Sequence, residues 1–532
     1  MAEKLFKGPF DIPDIPNFVP RRLKPWLFII IVVIVQFSGG LYLAATENMV
    51  GATALMSEDI RMAGYAQLIG MSLNFAVMFR IKFRYTIRTA LLACACVMLC
   101  GTILCAQTDS VFVLVATSFV VGWFRMQATF ACNSTIQLWL TPVRDMSIFF
   151  TYVYLVVDGS VQLSGILTVF AAEHWQWEYM HWIMGVMLMV MILLVLIFIR
   201  PVRFPMFIPL LGIDWIGSIL WGVAMMSFTF ICVYGDFYDW WQSSEIIGAT
   251  LLCITTVGLN LWRATFLRHP YLSFQVLTNR NVVRALTLYA IFSVLMATEH
   301  VFEHTYAAAI LGYDEENLIS LNWYAFAGIL VGVAFTYLTF ARRRWRYKTM
   351  TAIAFALGAA YLAYFYFTLD YNVDKELLFL PLFLRGTAVV ILSIILLTSI
   401  MQSGLPFMVF PQALLLNGFG GAVMFSTLGP AIVGEWLQHA MARNASLAST
   451  MMTNVNLEAV HTPLNALYGM VQQQAMVVSM KEIYGWLLIA ALVCLTVIIL
   501  SYGPVRPSAF MPKWGRIRRL IRHTIRLLPT TD

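Results

Sequence analysis

Apolar stretches of roughly 17 or more residues, the least that crosses the hydrocarbon core as a helix, recur fourteen times along this chain. They lie near 26–55, 62–80, 87–107, 111–138, 147–171, 180–200, 212–234, 246–266, 284–310, 320–340, 350–368, 377–400, 405–435 and 484–502. Inside a bilayer every backbone amide and carbonyl must be satisfied within its own segment or a closed barrel, so runs of this length can only be helices. The fold class that follows is an all-α polytopic membrane protein. Composition agrees: 60% of the residues are hydrophobic and 11% are charged, against about 25% charged in soluble chains.

An even number of spans puts both termini on one side, and charge says which. Of the 34 Lys and Arg, 28 fall in the two tails and in the turns at 80–88, 139–146, 200–205, 263–284, 342–348 and 401–404. The opposite turns are acidic, as in Asp314-Glu315-Glu316. The rule that cytoplasmic turns are positive therefore places both termini in the cytoplasm, and the expected location is the inner (plasma) membrane. It also accounts for the net charge of +7 through orientation and anionic lipid rather than nucleic acid. The opening stretch, interrupted by charges and by Pro9, Pro13, Pro16 and Pro20, does not read as a signal peptide. The eight cysteines all lie in apolar runs and read as small buried hydrophobes.

The chain repeats itself. Ala45-Thr46-Glu47-Asn48 and Ala297-Thr298-Glu299-His300 each set a carboxylate in an apolar run, and each is followed by a second intramembrane charge, Arg125 or Arg385. Between them lie the basic turns Arg80 to Arg84 and Arg342 to Arg346. Two parallel halves of six spans follow, at 26–200 and 284–503. An extra pair of spans occupies a linker at 201–283, with a cytoplasmic tail at 1–25 and a basic tail at 504–532, part of it an interfacial helix. The long outer turn 436–482 is expected to be partly helical and packed on the outer face. Charges in the membrane interior cost about 2.5–3.5 kcal/mol on insertion scales and mark functional positions, and duplicated bundles of this kind are how many secondary transporters are built.

In their order, several motifs resemble the major facilitator superfamily and its fourteen-helix drug:proton antiporters of the EmrB/QacA type. Thr46 to Leu55 lines up with the family's first-helix motif, so that Glu47 falls on its membrane aspartate. Arg125 with Gln127-Ala128 is similar to the fourth-helix arginine motif. Ser164-Gly165 with Trp175-Gln176-Trp177 resembles the fifth-helix glycine motif and the outer turn after it. Ile213 to Gly217 and Tyr238 to Trp241 resemble the ends of the extra pair, and Gly420-Gly421 and Gln474-Ala475 match features near the last outer loop. Phe83 to Arg88 departs from the family's cytoplasmic motif in lacking its Asp and Gly, and the fifth helix has Asp158 to Gln162 where the family has a proline. A divergent branch is implied. The resemblance implies a major facilitator fold, a part for Arg125 in proton coupling, and docking of a periplasmic adaptor and outer-membrane channel on 436–482.

Glu299, His300, Glu303 and His304 form the most informative cluster. At i,i+4 spacing on a helix they make two adjacent stripes. Two neighbouring carboxylates in a low dielectric cannot both ionise cheaply, so one is expected to hold a proton. Glu47, Glu299, Glu303 and Arg125 are therefore the proton-coupling candidates. Asp158, Gln162, His300 and Arg385 are the substrate-cavity candidates. Asp214 reads as a helix N-cap. No P-loop is visible, so an ion gradient is the expected energy source. No cofactor, metal or catalytic residue is expected. The reading is a proton-coupled exporter of drugs or toxic amphipathic compounds, working by alternating access. Two alternatives stay open: a proton-coupled symporter of a metabolite, and an intramembrane metal enzyme built on His300-x-x-Glu303-His304.

Overall fold

The structure, a computed structural model, describes residues 15–501 apart from 17, 21, 39–40, 45, 47–48, 51–54, 109, 142–144, 203–211, 304, 372, 407–408 and 456–463. Glu47, His304 and the C-terminal tail are among the positions outside the described residues.

The first half comprises α1 (Lys24–Phe37), α2 (Ser57–Asn74), α3 (Met78–Arg84), α4 (Ile87–Ala106), α5 (Val111–Leu140), α6 (Met146–His174) and α7 (Glu178–Phe198). The extra pair is α8 (Trp215–Tyr234) and α9 (Ser244–Phe266). The second half comprises α10 (Arg280–Leu295), α11 (Glu315–Thr336), α12 (Tyr347–Thr368), α13 (Phe379–Met401), α14 (Phe410–Phe419), α15 (Phe425–Val455) and α16 (Leu464–Leu500). Among the described residues twelve helical segments are each long and apolar enough to span a bilayer, and α2 with α3, bent by 63°, makes a thirteenth. The first expected span corresponds to the shorter apolar α1, 14 residues long.

Local chemistry sets the helix starts. Side-chain oxygens of Thr86, Asp145, Asp214, Ser243 and Asn279 accept hydrogen bonds from first-turn amides of α4, α6, α8, α9 and α10, as N-caps do. Asp214 caps α8 through the Gly217 amide at 2.9 Å and also pairs with Arg263 of α9 at 2.8 Å, so one carboxylate pins both helices of the extra pair.

Each half gathers around its own core. Phe28, Ile31, Leu91, Ala95, Ile136 and Met191 pack together in the first half, and Phe292, Phe355, Leu362, Ile391, Ile395 and Tyr484 in the second. The halves meet along two seams. Met146, Phe149 and Phe150 of α6 pack on Ile329, Val333, Val390 and Ile394 of α11 and α13. Met78 and Met126 pack on Phe410 and Leu414 of α14. The outward face of α9, with Leu251, Ile254, Trp262 and Phe266 exposed, is apolar, as a surface solvated by hydrocarbon tails requires.

Beyond the membrane end of α15 the structure differs from the expected outer turn. α15 runs to Val455, and α16 begins at Leu464, twenty residues before the expected start at Tyr484. The two form an antiparallel hairpin, tied by Arg443 to Glu482 and by Asn444 Nδ2 donating to Ser479 Oγ at 2.9 Å. A 37-residue helix is about 55 Å long against a hydrocarbon core of about 30 Å. Hydropathy marks where such a helix enters lipid, not where it begins, and Gln472 to Gln474 are good helix formers outside it.

Candidate functional site

Where α10 ends at Leu295 the helix breaks and resumes in π-helical turns over Glu299–Glu303 and Tyr306–Ile310. Such irregular turns interrupt membrane helices at functional positions. This one brings both carboxylates to a single arginine. Arg385, buried on α13, places Nη2 3.3 Å from Glu299 Oε1, and its Nη1 pairs with Glu303 Oε2. Tyr361 of α12 donates to Glu303 Oε1 at 2.8 Å, and the Thr298 hydroxyl sits 3.2 Å behind the Tyr361 oxygen. Thr298 and Tyr361 are fully buried. Beside this group α11 and α13 cross in close backbone contact. A Cβ on Gly328 would run into the Phe383 carbonyl, and one on Gly386 into the Ala325 carbonyl.

A cavity of about 220 Å³ lies against this group. Asp158 and Gln162 of α6 line it from the first half, and Glu299, Arg385, Ile329 and Val390 from the second. A larger hollow of about 460 Å³ between α4 and α5 is lined by Cys96, Cys100, Leu104 and Val120, among others, and offers no charged group. The polar cavity between the halves is therefore the candidate site.

The structure brings Asp158, Gln162, Glu299, Arg385 and, behind them, Glu303 together. It does not bring in His300, expected in the cavity. Its ring is exposed, because Glu299 and Glu303 take the face turned to Arg385 and the next residue along the turn points to another side. The metal-enzyme alternative needs His304, which lies outside the described residues, and its Glu303 is held by Arg385 and Tyr361 rather than free to act as a base.

Arg125 is 1% exposed in the first half, away from that cavity. Its Nη2 donates to Gln36 Oε1 at 2.7 Å and to the Gln36 carbonyl at 3.0 Å, while Gln36 Nε2 donates to Thr129 Oγ1 at 2.6 Å. Among the described residues Arg125 makes no ion pair, and its Nε and Nη1 have no hydrogen-bond partner. Gln36 is a site residue the sequence reading missed, although an amide within an apolar run was its visible signal. Tyr361 was missed too: with 22 tyrosines in the chain, nothing local marks this one.

No family model matches the sequence, and no curated protein matches it. Solved structures do. A POT family transporter in complex with 5-aminolevulinic acid superposes with a TM-score of 0.58 at 12% identity, covering 92% of this chain and 99% of that one. A structure from work on substrate recognition in proton dependent oligopeptide transporters gives 0.57 at 11% identity, covering 90% and 98%. The human organic anion transporter MFSD10 (TETRAN) gives 0.51 at 10% identity, covering 89% and 100%. This chain has the major facilitator fold. In a major facilitator fold the two halves are repeats and the ligand site lies near the bilayer midplane between them, which is how the Asp158–Arg385 cavity is lined here.

Proposed function

We propose that this chain is a proton-coupled secondary transporter that moves small organic molecules by alternating access of the cavity between its halves. The observation that carries the reading is Arg385, buried and held by two carboxylates against a cavity lined from both halves. Protonating Glu299 or Glu303 removes one of the two attractions on Arg385, and a bistable pair of bundles then has a reason to change state. The proton-site candidates are Glu299 and Glu303, with Glu47 and Arg125 as their counterparts in the first half.

The motif resemblance supports export of drugs or amphipathic compounds in exchange for protons. A second reading, uptake of a metabolite with protons, is supported by the proton dependent oligopeptide transporters among the structural neighbours. Both use the same coupling group and differ in direction. Proteoliposomes carrying the purified chain, given an imposed pH gradient and a panel of organic solutes, separate them: solute moves against the proton flux in exchange and with it in symport. Glu299→Gln with Glu303→Gln should abolish gradient-driven accumulation while solute exchange persists. Full accumulation by that variant, with Glu47→Gln added, rejects these carboxylates as the proton site. The placement in the inner membrane with cytoplasmic termini, and an adaptor seated on the α15–α16 hairpin, belong to the same proposal. A reporter fused after Asp314 should then appear outside and one after Arg346 inside.

A further inference from the structure

The extra pair of helices is tied to both halves, and at both membrane ends. At the acidic-turn end Tyr234 of α8 donates to Asp59 Oδ1 of α2. The turn after Tyr234 reaches α15, where Trp240 Nε1 donates to Glu435 Oε2 at 2.8 Å and Gln438 Nε2 donates to Asp236 Oδ2 at 2.9 Å. At the basic-turn end the chain leaving α9 does the same. Gln412 of α14 grips two of its backbone groups, accepting from the Ser273 amide at 2.8 Å and donating to the Pro270 carbonyl at 3.1 Å. Between those two residues lies Tyr271, buried, whose hydroxyl donates to the Leu73 carbonyl of α2.

That carbonyl is open to Tyr271 because α2 breaks there. In an unbroken helix it would accept from the Val77 amide. The Val77 amide bonds the Asn74 carbonyl instead, at 2.9 Å, and α3 leaves at 63°. Tyr271 packs with Ile69, Leu73 and Val77 on one side of the joint and with Leu415 of α14 on the other. α14 also lies against the break itself, since a Cβ on Gly418 would stand 2.8 Å from the Phe75 ring. Rocking two halves about a midplane cavity parts them at one membrane end at a time. A helix pair tied to both halves at both ends cannot follow that motion intact, so one set of ties has to release in each state.

We infer that residues 270–273 form a strap that latches the two halves together at the basic-turn end, Tyr271 holding α2 and Gln412 holding the strap on α14, and that opening of the cavity toward that end requires its release. This rests on the alternating-access reading and adds to it a role for the extra pair. Neither Tyr271 nor Gln412 lines the cavity, so the strap acts on access and not on the solute.

The test is hydrogen–deuterium exchange of the full chain in lipid nanodiscs, read by mass spectrometry with neither solute nor gradient present. Amide exchange reports local opening of the segment that carries the amide. Tyr271→Phe keeps the ring and removes one hydroxyl, and Gln412→Met keeps the length and removes both strap bonds. Each should raise exchange about fivefold, the scale of one net hydrogen bond, and the double variant should raise it at least about tenfold. The rise should cover the strap (268–279) and also 343–346, the turn in which Arg344 meets Asp145 across the same end. The acidic-turn segments 236–243 and 434–440 should exchange no faster. Trp240→Phe with Gln438→Leu should do the reverse, speeding exchange at 236–243 and not at the strap. A rise confined to 268–279 makes the strap a local tie and overturns the inference, as does unchanged exchange in the double variant. A rise at both ends together with a lower melting temperature is general loss of stability and overturns it too. Failure here is distinct from failure of the transport reading. Gradient-driven transport with a strap that controls no opening sinks only the strap, and a strap that controls opening in a chain that moves no solute sinks only the transport reading.

Discussion

Among the described residues each half buries one arginine, and the two meet different partners. The helix crossings around them match. In the first half a Cβ on Gly70 or Gly122 would run into the carbonyls of Phe119 and Gln67, and in the second half Gly328 and Gly386 stand against Phe383 and Ala325 in the same way. On that shared frame Arg125 meets the amide and carbonyl of Gln36, whereas Arg385 meets two carboxylates and, through Glu303, a tyrosine. A guanidinium held by neutral dipoles can be removed without leaving a charge behind. One held by carboxylates cannot. The comparison teaches that the glycine-lined helix crossings are alike in the two halves while, among the described residues, the partners of the buried arginine differ.

The largest expected effect comes from breaking the charged side. Arg385→Met leaves Glu299 and Glu303 without a counter-ion and should cost about 3–5 kcal/mol, read as a collapse of folded yield or of melting temperature in detergent. Adding Glu299→Gln and Glu303→Gln to it should recover much of that loss, since no buried charge is then orphaned. Arg125→Met removes charge-assisted hydrogen bonds to neutral partners and should cost about 1.5–3 kcal/mol. A melting-temperature loss for Arg125→Met as large as that for Arg385→Met would break the comparison and point to a carboxylate partner, Glu47 first.

The crossings should respond alike in the two halves. Gly70→Ala and Gly328→Ala each force backbone apart in a packed interface, at about 1–3 kcal/mol, and unequal melting shifts would show that the frames are not equivalent. The smallest effect is expected where the halves touch at the basic-turn end. Arg344, in a left-handed backbone conformation, donates to Ser147 Oγ at 3.2 Å and pairs with Asp145 at the start of α6. Its side chain is 34% exposed, so Arg344→Ala should cost no more than about 1 kcal/mol. The measurement is again the melting temperature, and a larger drop would make this contact a principal tie between the halves.

Much of this architecture is local and was legible in the residues. Whether a segment enters lipid depends on its own transfer free energy. The helix from Ile87 to Ala106, for instance, follows its apolar run within a residue. The Glu299-to-Glu303 spacing likewise put two carboxylates on one side of their segment, and both meet Arg385. What no single stretch could announce is the partner of each charge. Arg125 and Arg385 look equivalent along the chain, and a glutamate precedes each at similar spacing. Only the crossing of helices and the π-turn after α10 decide that Arg385 reaches both carboxylates, that Tyr361 stands behind them, that His300 turns outward and that Asp158 lines the cavity from the other half. The transfer of a segment into lipid is additive along the chain, while pairing depends on ångström-scale separations between segments far apart in sequence, and those separations exist only once the bundle has packed.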